Sequence, residues 1–117
     1  MLSFYYLKNC STCKKIIKKL DLIESESLID IKKQGITESE LDFLHSLSGS
    51  YESLFSKRSQ LYKQRKLKNV NLDEIDFKKL ILEHYTFLKR PVLVIDDKIF
   101  IGNSPEIIKQ AKNIING

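Results

Sequence analysis

An apolar, aromatic run at residues 2–7, "LSFYYL", gives way within a few residues to the basic amphipathic stretch "KKIIKKL". A run of that kind suits a buried strand, while the recurrence of Ile16, Ile17 and Leu20 at helical spacing suits a helix whose other face carries Lys14, Lys15, Lys18 and Lys19. The switch from strand to helix near Thr12 predicts an α/β unit at the very start of the chain. "SLIDI" (27–31) follows as a second short strand. A right-handed strand–helix–strand crossover would make these two strands parallel.

The rest of the chain extends this frame. "KKQGIT" reads as a connection. Thr37 with Glu40 forms a capping-box pattern, Leu41, Leu44 and Leu47 form an apolar stripe, and Gly49 ends that helix. "YESLF" reads as a short helix. Residues 56–69, "SKRSQLYKQRKLKN", are basic and polar, with Leu61, Tyr62 and Leu67 as anchors. A further helix is expected over 72–84, with Ile75, Leu80 and Ile81 facing inward. "RPVLVIDDKIFIG" reads as a β-hairpin, with strands at Val92–Ile95 and 99–101 and a turn at Asp96 and Asp97. Ser104 and Pro105 then open a last helix carrying Ile107, Ile108, Ala111 and Ile114. The expected fold class is therefore α/β, with a mixed four-stranded sheet built from residues 1–35 and 86–117 and a helical insertion at 36–85.

With 117 residues the chain fits one domain, and its 42% hydrophobic content is enough for a core. No apolar run is long enough to span a bilayer, and the N-terminus lacks the pattern of a secretory signal, so a cytoplasmic location is expected and no membrane partner. The formal net charge of +5 permits an anionic partner without identifying one, and direct nucleic-acid binding is not expected. His45 and His84 are far apart and lack companion ligands, so no metal site is expected and both read as helix-face or surface residues.

Both cysteines of the chain lie in "CSTC", at positions 10 and 13. A helix N-terminus concentrates unsatisfied N–H groups and positive dipole, which lowers the pKa of a thiol placed there; Lys8, Lys14 and Lys15 add positive charge. Cys13 stands almost one turn further on, near enough for a Cys10–Cys13 disulfide. This arrangement points to Cys10 as the attacking thiol and Cys13 as the resolving thiol. Half of a zinc site is the weaker alternative because no second pair exists, and two ordinary core cysteines are the bland one.

"YYLKNCSTCKKIIKKL" and "FLKRPVLVIDDKIFIGNSPE", taken together, resemble the arsenate reductase–Spx family of thioredoxin-like proteins across nearly the whole chain. The resemblance implies a glutaredoxin-like fold with an inserted helical lobe. It implies that Cys10 is the nucleophile and that Arg90, ahead of a cis Pro91, lies near it and binds an oxyanion or stabilises the thiolate. Arg58 resembles the family's middle arginine, which arsenate reductases place a residue or two earlier, where Ser56 and Lys57 stand here, and Ser11, Thr12 and Pro91 complete the expected substrate-binding set. Arg58 also belongs to a basic run with Lys57, Lys63, Arg65, Lys66 and Lys68, for which a solvated face is the bland reading. Glutathione-linked arsenate reductases carry a third arginine where this chain has Asn103, and generally a single active-site cysteine. Spx-type regulators carry CxxC and bind the RNA polymerase α C-terminal domain. The resemblance thus implies either a thiol–disulfide oxidoreductase, with no bound cofactor and with glutathione or a thioredoxin/glutaredoxin system as electron donor, or a redox-switched regulator without turnover.

Overall fold

The computed structural model describes residues 2–8, 10–20 and 28–116. Two compact units divide the chain, one formed by Met1–Gln34 with Arg90–Gly117 and the other by Gly35–Lys89.

The first unit is built on a four-stranded sheet in the order β2-β1-β3-β4. Strand β1 (Leu2–Tyr6) leads into helix α1 (Ser11–Lys19), and β2 (Leu28–Asp30) returns parallel to β1, with Phe4 opposite Leu28 and Tyr6 opposite Asp30. The parallel pairing agrees with the expected crossover. β3 (Val92–Ile95) lies antiparallel to β1, pairing Phe4 with Leu93, and β4 (Lys98–Ile101) closes the hairpin beside β3. All four residues of β3 are buried. At the hairpin turn Asp96 adopts φ 54, a left-handed conformation that a short side chain able to bond its own backbone tolerates. Helix α6 (Pro105–Asn116) follows; its first turn is held by Ser104, whose Oγ accepts from the Ile107 N–H at 3.2 Å.

Phe4, Ile16, Leu20, Leu93, Ile108 and Ala111 form the heart of this unit's core, with Ile115 packed against it. The sequence pattern places Ile114 on the inner face of α6; in the structure Ile114 is 37% exposed and Ile115 takes the inward position. Ile31, expected to finish the second strand, instead begins helix α2 (Ile31–Gln34) and is buried there. A β-branched residue reads as strand locally, but burial is satisfied in either conformation.

The second unit is helical. Helix α3 (Glu38–Ser48) starts at the expected capping box: the Glu40 N–H donates to Thr37 Oγ1 at 3.1 Å, and the Thr37 N–H donates back to Glu40 Oε1 at 3.0 Å. Gly49 ends α3 with φ 89, a conformation that glycine adopts without steric cost. A 3-10 turn at Glu52–Leu54, helix α4 (Gln60–Gln64) and a 3-10 turn at Leu67–Asn69 lead to α5 (Glu74–Glu83). α5 also begins with a capping box, Asp73 with Asp76. Ile75, expected to face inward, is 62% exposed; Phe77 and Ile81 are the buried residues of α5. The larger apolar surface is the aromatic one: the Phe77 ring lies 4.8 Å from the Phe55 ring, which stacks on Phe87 at 5.3 Å. Packing an aromatic cluster sets the rotation of α5, and Ile75, about 160° from Phe77 around the helix at 100° per residue, is left in water.

The histidines fit structural surroundings. His45 stacks on the Tyr51 ring at 4.1 Å, and His84 Nδ1 accepts from the Thr86 N–H at 3.1 Å.

Candidate active site

Cys10 occupies the N-cap position of α1, with φ −84 and ψ 114. Its carbonyl already accepts the first helical hydrogen bond, from the Lys14 N–H at 3.1 Å, while its own N–H donates to the Leu7 carbonyl at 3.0 Å. The chain thus leaves β1 by a tight turn and enters the helix at the thiol. Ser11 is exposed, Thr12 and Cys10 are half-buried, and Cys13 is fully buried. Helical spacing explains the division: Cys13, Ile16 and Leu20 lie on the stripe that faces the sheet.

The two thiols titrate in opposite directions. Partial burial pushes the Cys10 pKa up, but it is outweighed by the Cys13 N–H and thiol, the Thr12 N–H and the charge of Arg90, so the net shift is downward. The geometry falls short of a capping hydrogen bond to Cys10 Sγ, so these amides act through their dipoles. The leading charged group is Arg90 rather than the lysines to which the sequence points. Burial pushes the Cys13 thiol up to about 12, and the neighbouring Cys10 thiol and thiolate charge push it the same way. Cys10 and Cys13 are not joined by a disulfide in this structure.

Arg90 is separated from β3 by Pro91 alone. Its Nη1 is buried and has no hydrogen-bond partner. A buried guanidinium nitrogen without an acceptor is costly, and a ligand oxyanion or thiolate is the kind of group that would satisfy it. The Arg90–Pro91 peptide bond is cis. The Pro91 carbonyl accepts from the Gly102 N–H at 2.9 Å, which ties the start of β3 to the end of β4. Sequence reasoning misses this tie; a glycine directly after a strand that pairs with the Arg-Pro strand is the available signal. Pro91 also lines a small apolar pocket with Phe4, Ile16, Phe100, Ile107 and Ala111, and neither cysteine belongs to that lining.

The first unit therefore contains Cys10, Ser11, Thr12, Cys13, Arg90 and Pro91, and the electrostatics couple Arg90 to both thiols. Arg58 belongs to the second unit, where it is exposed in the turn ahead of α4. Asn103 is exposed in the segment between β4 and α6.

A mixed sheet of this order, with a dithiol at the N-terminus of its first helix, defines a thioredoxin-like domain. The chain belongs to the ArsC family, whose model matches residues 5–111. It is 29% identical over 117 residues to the regulatory protein MgsR of Bacillus subtilis (strain 168), covering 95% of this chain and 90% of that protein. It is 25% identical over 107 residues to an arsenate reductase of Haemophilus influenzae, covering 89% of this chain and 92% of that protein. Among solved structures, that of SACOL0876 from Staphylococcus aureus COL superposes with a TM-score of 0.76 at 32% identity, covering 94% of this chain and 97% of that one. Enzymes and regulators thus both stand among its relatives.

Proposed function

We propose that this protein is a cytoplasmic thiol–disulfide oxidoreductase in which Cys10 attacks and Cys13 resolves. The observation that carries this reading is the opposed titration of the two thiols, Cys10 shifted down and Cys13 up to about 12. At neutral pH Cys10 is the better populated thiolate. It attacks one sulfur of a substrate disulfide; a new S–S bond forms, the old one breaks, and the leaving thiolate departs with the electron pair and takes a proton from water. Cys10 then carries no charge. That removes one of the influences holding the Cys13 proton in place, so Cys13 can lose it and attack the Cys10 sulfur, releasing the second substrate thiol. The protein dithiol is oxidised by two electrons and the substrate disulfide is reduced by two. An external thiol, glutathione or a thioredoxin or glutaredoxin, returns the protein to the dithiol, and no bound cofactor is required. Arg90, with its unpartnered Nη1, stabilises the thiolate or an oxyanion substrate, and Ser11, Thr12 and Pro91 contact the substrate.

A second reading is supported by the likeness to MgsR. In it the Cys10–Cys13 pair is a switch, and the protein acts as an Spx-type regulator by binding the RNA polymerase α C-terminal domain without turnover. One set of assays separates the two. Arsenate, glutathione disulfide and insulin are offered side by side with glutathione–glutaredoxin and with thioredoxin as reductants. Steady turnover that is lost in Cys10→Ser supports the enzyme. No turnover with any pair, together with redox-dependent co-purification with RNA polymerase, supports the regulator.

A further inference from the structure

Resting on the reading of Cys10 as the attacking thiol, we propose that the exposed lysines of α1, Lys14 and Lys15 foremost, select small carboxylate-bearing disulfides as its reaction partners. Residues 8–20 hold five lysines, Lys8, Lys14, Lys15, Lys18 and Lys19, and no acidic residue. All five are exposed. The first turn of α1 carries no acid, and the ion pairs among the described residues engage Lys57, Arg65, Lys78 and His45 instead. The inward stripe of the helix is committed to the core through Cys13, Ile16 and Leu20, which holds the lysine side chains on the water side.

Distance grades their effect. At about 1.5 Å rise per residue, Lys14 and Lys15 start about 6 and 7.5 Å along the axis from Cys10, and Lys18 and Lys19 about 12 and 13.5 Å. The Debye length is about 10 Å at 0.1 M salt, so the nearer pair acts on a molecule at the thiol and the farther pair is largely screened. The leading stabilisers of the Cys10 thiolate are amides, Cys13 and Arg90. The lysine charge is therefore directed at what approaches, and a positive rim around a nucleophile raises the local concentration of anions. The reaction is the exchange already described: the Cys10 thiolate forms an S–S bond to one sulfur of the carboxylate-bearing disulfide, and the other half leaves as its thiolate.

The test compares second-order exchange rates of the reduced protein with three disulfides of different charge: dianionic dithiobis(nitrobenzoate), neutral dithiodipyridine and dicationic cystamine. At about 0.1 M salt the ratio of the anionic to the neutral rate should fall roughly fivefold in Lys14→Gln/Lys15→Gln. Lys18→Gln/Lys19→Gln should change it less than about twofold. Salt at 0.5 M should lower the wild-type ratio as the nearer double substitution does, and the cystamine ratio should move the opposite way. An unchanged anionic-to-neutral ratio in Lys14→Gln/Lys15→Gln overturns the inference. An equal fall with anionic and neutral probes also overturns it, because the lysines would then act on the thiolate rather than on its partner. Mass mapping of the first adduct keeps the two readings apart: modification at Cys13 instead of Cys10 overturns the attacking-thiol assignment itself.

Discussion

Arg90 draws Cys10 toward its thiolate while its own Nη1 lies buried with no hydrogen-bond partner. A cation that lowers the pKa of a nearby thiol and still holds an unused donor is suited to a second anion. Arg65 and Lys78, by contrast, are matched locally, Arg65 to Glu83 at 2.6 Å and Lys78 to Glu38 at 2.8 Å.

Arg90→Lys keeps the charge but loses the planar two-oxygen fork. It should lower Cys10 reactivity or substrate use tenfold or more, about 1.4 kcal/mol of transition-state stabilisation. Thermal stability should change little, since the buried Nη1 makes no hydrogen bond to lose. Stopped-flow alkylation and a melting curve on the same samples check both halves. An unchanged rate would remove Arg90 from the reacting groups.

The opposed thiol shifts fix the form of a pH profile. A thiolate is the reactive form and its fraction rises with pH, so a lowered pKa moves the rise to lower pH and a raised one moves it higher. Iodoacetamide should therefore label Cys10 with a half-rise below the ordinary thiol value of 9.0, whereas Cys13, with a pKa of about 12, should stay unlabelled throughout the neutral range. In Arg90→Met the Cys10 half-rise should move up, because the positive charge is gone. Peptide mapping after limited alkylation reads both sites, and earlier labelling of Cys13 would reverse the assigned roles.

Arsenate should be a poor substrate. Stabilising a multiply charged oxyanion takes several convergent donors, and the exposed Asn103 carries no charge at the position that the resemblance gives to a third arginine. Asn103→Arg should raise arsenate turnover above wild type. Robust turnover by the wild-type chain, or no gain in the variant, would count against this account.

A fourth prediction concerns stability alone. Thr37→Ala removes one side of a closed capping box at the start of α3. The cost should be about 1 kcal/mol, seen as a drop of about 4 °C in Tm for a protein of this size. Thiol reactivity at Cys10 should not move, and a change in both would mean that the cap affects the first unit.

Much of the scaffold is legible in the residues because it depends on local chemistry. Thr37 with Glu40 closes the box that its spacing announces, Asp96 and Asp97 make the hairpin turn, and the interval between Cys10 and Cys13 sets one thiol at the helix entrance and the other on its buried stripe. Those outcomes need only the neighbours three or four positions away. The rotation of α5 does not follow from its own pattern. Ile75 and Phe77 are both apolar, and only the meeting of Phe77 with Phe55 in the folded unit sends Phe77 inward and leaves Ile75 in water. Likewise Ile115 is preferred over Ile114 against the sheet, and Ile31 is buried as a helical residue. The opposed thiol titrations belong to the same class, because they combine a helix entrance readable in the sequence with burial and an Arg90 brought in from about eighty residues away. Hydrophobic burial has no direction of its own. A sequence determines which residues seek cover and where a backbone turns, but which face is covered, and which distant charge stands beside a thiol, is decided by the surfaces that meet when the chain folds.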